Sequence, residues 1–175
     1  MSITLGGTSP AVTFPDATVQ DTSAIVGGKV PYTNLPAGSV LQVVQGSINA
    51  TATSASSTYA NTGLTATITP KFSTSKILVL LTLQGVGKDT GNTSVNLRIQ
   101  RAASTIITFT NSFTGYTGSG ATFYPGSSAF NYLDSPATTS ATTYTLQLAS
   151  DANVANAYVS AGNTYSTITL LEIAQ

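Results

Sequence analysis

Apolar and hydroxyl residues alternate one for one along much of this 175-residue chain. Leu64-Thr65-Ala66-Thr67-Ile68-Thr69 sets Leu, Ala and Ile on one side and threonines on the other. A period of two is that of a β-strand, whose successive side chains point to opposite faces; it gives a helix no apolar stripe. Val95, Leu97 and Ile99 alternate in the same way with Asn96, Arg98 and Gln100, and Tyr144, Leu146 and Leu148 with Thr143, Thr145 and Gln147. The residue inventory agrees, with 31 Thr and 15 Gly against one Glu, one Met and four Lys. Helix formers are scarce and strand formers abundant. Further strands are expected over Val40 to Ile48, Ser104 to Thr110, Ala155 to Ser160 and Ser166 to Ile173. Thr69-Pro70, Asp89-Thr90-Gly91-Asn92 and Asp134-Ser135-Pro136 punctuate them as turns. The pattern predicts an all-β antiparallel sandwich of jelly-roll type spanning 39–175. Its core takes in Leu64, Ile68, Ile77, Val79, Leu97, Ile99, Tyr144, Leu146 and Ile168.

Two strands are apolar on both faces. Lys76 to Gln84 carries Ile77, Val79, Leu81 and Leu83 on one face, and Leu78 and Leu80 on the other. Near the C-terminus, Ile168 and Leu170 oppose Leu171 and Ile173. A sandwich strand normally buries one face only, so the second needs a cover. Either a loop or the N-terminal segment supplies it, or a second subunit does. Glu172 falls beside that seam, to be paired with Arg98 or Arg101 or left solvated.

Residues 1–38 read differently. Pro10, Pro15, Pro31 and Pro36 and two Gly-Gly pairs interrupt any pattern, which suits an extended arm with one or two short strands. Val12, Phe14, Val19 and Ile25 are its apolar side chains. Gly115 to Gly126, running on to Tyr132, is a Gly-rich stretch with Tyr116, Phe123, Tyr124, Phe130 and Tyr132. Such aromatics suit contacts to carbohydrate or protein; equally, several belong to a core strand pair.

Catalytic chemistry finds few groups to use. Histidine and cysteine are absent, which removes imidazole bases, thiol nucleophiles and zinc fingers. Six acids are scattered, and Asp16 and Asp21 form the one near pair. No phosphate loop occurs, and a net charge of zero argues against a nucleic-acid surface. Asp89 and Asn92 could start a calcium site, but a plain turn explains them as well. The expectation is a non-enzymatic module with no catalytic, cofactor-binding or metal residues. The chain shows no secretory signal, and its longest aliphatic run, Ile77 to Leu81, is far short of a membrane helix, so membrane insertion is not expected.

Four stretches carry a resemblance. They are Val12-Thr13-Phe14-Pro15-Asp16; Leu35-Pro36-Ala37-Gly38-Ser39-Val40-Leu41-Gln42-Val43-Val44; Asp134 to Thr139 running into Ala141-Thr142-Thr143-Tyr144; and Ser166 to Ile173. Spaced this way over roughly residues 10–175, they resemble virion structural proteins of tailed phages, especially those of cyanobacteria and marine bacteria. The resemblance implies a homotrimeric jelly-roll module on the exterior of the particle, made in the host cytoplasm, and no enzyme. Leu78, Leu80, Leu171 and Ile173 would then form the trimer interface. Val12, Phe14, Val19 and Ile25 would dock on the major capsid protein or a tail component. Fibre proteins of this kind carry a long shaft, and only the 38-residue arm precedes this domain, which favours a head decoration, or cement, protein. A short tail fibre or receptor-binding head, touching host glycan through Tyr116, Phe123 and Tyr124, is the second reading.

Overall fold

The computed structural model describes residues 11–13, 19–21, 30–90, 93–109, 125–151 and 155–175. Among them are strands and two short 3-10 turns, at Tyr32–Asn34 and Ala161–Asn163, and no α-helix. The strands are β1 (Ala11–Thr13), β2 (Val19–Asp21), β3 (Val40–Ile48), β4 (Ala52–Ser54), β5 (Ala60–Ile68) and β6 (Lys76–Lys88). β7 (Val95–Arg101), β8 (Ser104–Thr108), β9 (Gly126–Asp134), β10 (Thr142–Ser150), β11 (Ala157–Val159) and β12 (Ser166–Ile173) follow.

The main pairings are nested and antiparallel. β7 pairs with β8, β6 with β9, β5 with β10, and β3 with β12, as though one long hairpin had been rolled up. Two further pairings, β12 with β6 and β10 with β7, close the roll into two packed sheets. One has the order β5-β10-β7-β8. In the other, β3-β12-β6 continues to β9 on the far edge of β6. β11 and β12 are two halves of a single partner for β6. Ala157 and Tyr158 pair with Lys88 and Gly87, and Thr167 resumes opposite Thr82 after a four-residue slip. β4 adds to β11. β1 and β2, within the expected arm, pair with each other antiparallel.

All nine expected core residues are buried between the sheets. The inner faces interdigitate Leu64, Ile68, Leu97, Ile99, Tyr144 and Leu146 with Ile77, Val79, Leu81, Leu83, Ile168 and Leu170. Each such side chain contributes about 1.5–3 kcal/mol by leaving water. Thr65 and Thr67 of β5 and Thr143 and Thr145 of β10 lie on the outside, and Thr67 Oγ1 bonds Thr143 Oγ1 across the strands at 2.7 Å. Where β3 passes β5, Gly46 lets the backbones meet: a Cβ there would lie 1.9 Å from the Thr65 carbonyl oxygen.

Two polar side chains tie the ends of the roll. Asp134, at the end of β9, accepts from Arg101 Nη1 (2.9 and 2.8 Å) and from the Tyr144 hydroxyl (2.7 Å), both on the opposite sheet. Glu172 is fully buried and accepts from Gln42 Nε2 and the Lys71 N–H, each at 2.6 Å, and from the Phe72 N–H at 3.4 Å. This corrects both sequence readings of Glu172. It is neither solvated nor paired with an arginine, because β12 turns it inward, where it caps the loop after Pro70. Arg98 instead binds Gln147, Nε to Oε1 at 2.7 Å.

Several boundaries also differ. β6 runs four residues past Gln84, while β8 and β11 are shorter than expected. The stretch read as an aromatic loop becomes β9 from Gly126 onward. Its Phe130 leans inward and stacks on Phe109, with ring centroids 4.4 Å apart.

Candidate interaction surface

Both sheets are apolar inside, and their outer faces differ. On the β5-β10-β7-β8 sheet the outward residues are Thr65, Thr67, Thr143, Thr145, Asn96, Arg98 and Gln100, a polar surface in which Arg98 and Asn61 cover Gln147. On the other sheet the register lines up Val43, Leu171, Leu78 and Leu133 in one row across β3, β12, β6 and β9. Ile173 and Val40 stand opposite each other on one side of that row, and Leu80 lies on the other side, between Thr169 and Asn131.

The four residues expected to form a subunit interface, Leu78, Leu80, Leu171 and Ile173, therefore meet on one surface. Nothing among the described residues covers it: Val43 is 58% exposed, Leu133 49% and Leu80 37%. Val40, Val43 and Leu133 extend the patch and were not singled out from the sequence. Of these, the Val43-Val44 pair carries the same mark as Leu78, an apolar residue on each face of one strand. One residue pair further along, the face turns polar through Ser47, Thr167 and Thr82. The apolar patch thus has a border. Lys76, opposite Ile173, flanks it at the other end.

The remaining expected residues are less informative. Val12 and Val19 fall in β1 and β2, opposite Gln20 and Thr13. Phe14, Ile25, Tyr116, Phe123 and Tyr124 lie outside the described residues.

Asp89 behaves as an anchor of its turn. Its Oδ1 accepts the Asn156 N–H at 2.9 Å, and its Oδ2 accepts the Tyr158 hydroxyl at 3.0 Å. Burial alone would raise its pKa, but these bonds and one from the Asn156 side chain outweigh it and hold the carboxyl below its ordinary value. Among the described residues no three His, Cys, Asp or Glu side chains gather as a metal site would require. No helix among them is long and apolar enough to cross a membrane.

No protein-family model matches the chain, and no curated protein matches it either.

Proposed function

We propose that this protein is a non-enzymatic structural module of a phage particle, a homotrimeric head decoration protein whose copies pack through the outer face of the β3-β12-β6-β9 sheet. The observation that carries the assembly part is the row Val43–Leu171–Leu78–Leu133, an uncharged apolar ladder on the outside of a sandwich whose other face is polar. Contiguous apolar surface of this kind marks protein contact sites. Covering the exposed half of Val43 or Leu133 contributes about 1 kcal/mol each, and the less exposed Leu78 and Leu171 add smaller amounts. The nested pairing of eight strands supports the jelly-roll reading, since that fold rolls up two Greek keys in this order. Trimeric state, virion location and the docking of Val12, Phe14, Val19 and Ile25 on the capsid rest on the resemblance to tailed-phage proteins.

Sedimentation of the purified protein over the micromolar range tests the assembly. A trimer supports it, and a monomer at every concentration counts against it. Gel densitometry of purified particles then separates decoration from fibre. A copy number on the scale of the capsid lattice identifies a decoration protein, and a few copies per particle identify a fibre head.

A further inference from the structure

At the far end of β6 from the apolar row lies a cleft of about 290 Å³, lined by Thr51, Asp89, Tyr158, Ala161 and Gly162. One wall is the turn that interrupts the partner strand of β6 between β11 and β12. That turn is built with conformations a simple connection does not need. Ser160 and Asn163 both hold left-handed backbone, at φ 58° and 59°. Gly85 gives up a side chain to seat it, because a Cβ there would lie 2.4 Å from the Ala161 nitrogen. Ser160 Oγ bonds Ser166 Oγ at 2.8 Å, which in turn accepts the Gln84 N–H at 3.0 Å, and Thr51 Oγ1 donates to the Ser160 carbonyl at 3.1 Å. Strained backbone held in this way gathers at binding sites.

The opposite wall presents Asp89 and Tyr158. Three donors from Asn156 and Tyr158 fix the carboxylate, which has room for about four. It therefore stays ionised and oriented, as an acceptor only. A carboxylate rejects anionic ligands. Burial lowers the pKa of Lys88, the adjacent residue in the chain, while attraction to the Asp89 carboxylate works the other way, so the two groups partly offset each other and weaken the field a cation would need. What remains is a shallow, mainly apolar wall beside an aromatic ring and one strong acceptor. That combination matches a molecule with C–H faces and hydroxyl donors at its edges. The volume, at the small end for ligand sites, has room for one sugar ring.

We propose that this cleft binds a neutral saccharide unit, with a sugar hydroxyl donating to Asp89 and a C–H face resting on Tyr158 and Ala161. The proposal goes beyond the assembly reading, since the cleft and the apolar row are separate surfaces.

Amide chemical shifts of the intact protein, titrated with millimolar glucose, galactose, mannose and N-acetylglucosamine in turn, test it. At least one sugar is expected to give saturable shifts at Asp89, Tyr158, Ala161 and Gly162. Asp89→Asn is expected to weaken that binding about tenfold or more, the loss of a charged hydrogen bond. Because Asp89 also anchors its turn, a second variant leaves the anchors untouched. Gly162→Asn suits the left-handed backbone at φ 70° and adds a side chain where nothing lies within 4 Å. It is expected to block the cleft in a fully folded protein. No shift with any of the four sugars, shifts centred elsewhere, or wild-type affinity in either folded variant overturns the proposal.

Discussion

Leu171 of β12 stands directly opposite Leu78 of β6, and the same row continues to Val43 on one side and Leu133 on the other. Cross-strand apolar pairs contribute about 0.2–1 kcal/mol each, so the row adds something to the isolated sheet. Left in water it is still a patch of unfavourable surface. Four of the large apolar side chains most exposed among the described residues, Val40, Val43, Leu80 and Leu133, are on this face.

Leu80→Asp and Leu171→Asp are accordingly expected to disrupt assembly while sparing the fold. Both positions are partly solvated, so the monomer should lose about 1 kcal/mol or less. Leu81 is the control one residue away, at 2% exposure on the inner face, where Leu81→Ala is expected to cost about 2–5 kcal/mol. Sedimentation reads the first effect and urea unfolding the second. Unchanged assembly in both Asp variants would remove this face from the interface.

Gly46→Ala is expected to be severe for a residue that is only half-buried. The added Cβ would collide with the Thr65 carbonyl oxygen at 1.9 Å, and a backbone atom cannot swing aside as a side-chain tip can. Separating β3 from β5 there opens one edge of the roll, with a loss of about 3 kcal/mol or more by urea unfolding. A loss below about 1 kcal/mol means that the two strands part easily.

Strands whose inner residues alternate with threonine or other polar residues were legible in the sequence. β3 and β12 have the expected ends, and the inward sets of β5, β7 and β10 are the expected ones. β9 escaped because Gly126-Ser127-Ser128 and the aromatics after it resemble a loop, and its partner β6 lies far back in the chain. Gly85 and Gly87 concealed the second half of β6 in the same way. The apolar character of Leu78, Leu80, Leu171 and Ile173 could be read directly. Their meeting on one surface, and the addition of Val43 and Leu133, depends on register between strands up to about 130 residues apart. Glu172 shows the limit most clearly. Its partners Gln42, Lys71 and Phe72 are brought to it by the fold alone, so local charge pairing pointed to the wrong neighbours.

Tyr144 makes alkaline pH a probe of the tie between the sheets. Burial first, then donation to the Asp134 carboxylate, raises its hydroxyl pKa well above the ordinary 10.0. Below pH 10.0 both the folded and unfolded chains keep this proton, and the stabilisation is complete. At higher pH the unfolded chain ionises while the folded one does not, so stability falls by about 1.4 kcal/mol per pH unit from this group. Tyr144→Phe is expected to be less stable at neutral pH by about 1–2 kcal/mol, through the lost hydrogen bond. Its alkaline decline should be shallower by one proton's slope. Tyr59 and Tyr158, also raised by burial, keep part of the decline in place. Parallel curves for the two proteins would show that Tyr144 ionises freely in the folded state.

Removal of the first 34 residues separates the two roles open to the N-terminal segment. The sandwich closes on itself from Gly38 onward, where the Gly38 N–H donates to the Ala174 carbonyl and the Ala174 N–H to Ser39, both at 2.9 Å. A chain starting at Leu35 keeps these bonds. Among the described contacts it loses the Leu35 N–H bond to the Tyr32 carbonyl at 3.2 Å, the Tyr32 and Thr33 wall of the cleft beside Phe72 and Ala174, and Lys71 Nζ over the Tyr32 ring at 5.6 Å, the last about 0.5–1 kcal/mol at an exposed site. If the segment docks on the shell, the truncated protein should stay folded, assemble as the full chain does, and fail to attach to particles lacking it. With few charges in the segment, attachment of the full chain should also change little with salt. If the segment instead covers Leu78 and Leu80 on its own sandwich, truncation should uncover apolar surface. The protein would then melt several degrees lower or precipitate. Melting temperature and particle attachment, measured on one preparation, distinguish these outcomes. Normal attachment by a stable truncated protein would falsify docking through Val12, Phe14, Val19 and Ile25, and would transfer the contact with the particle to the sandwich itself.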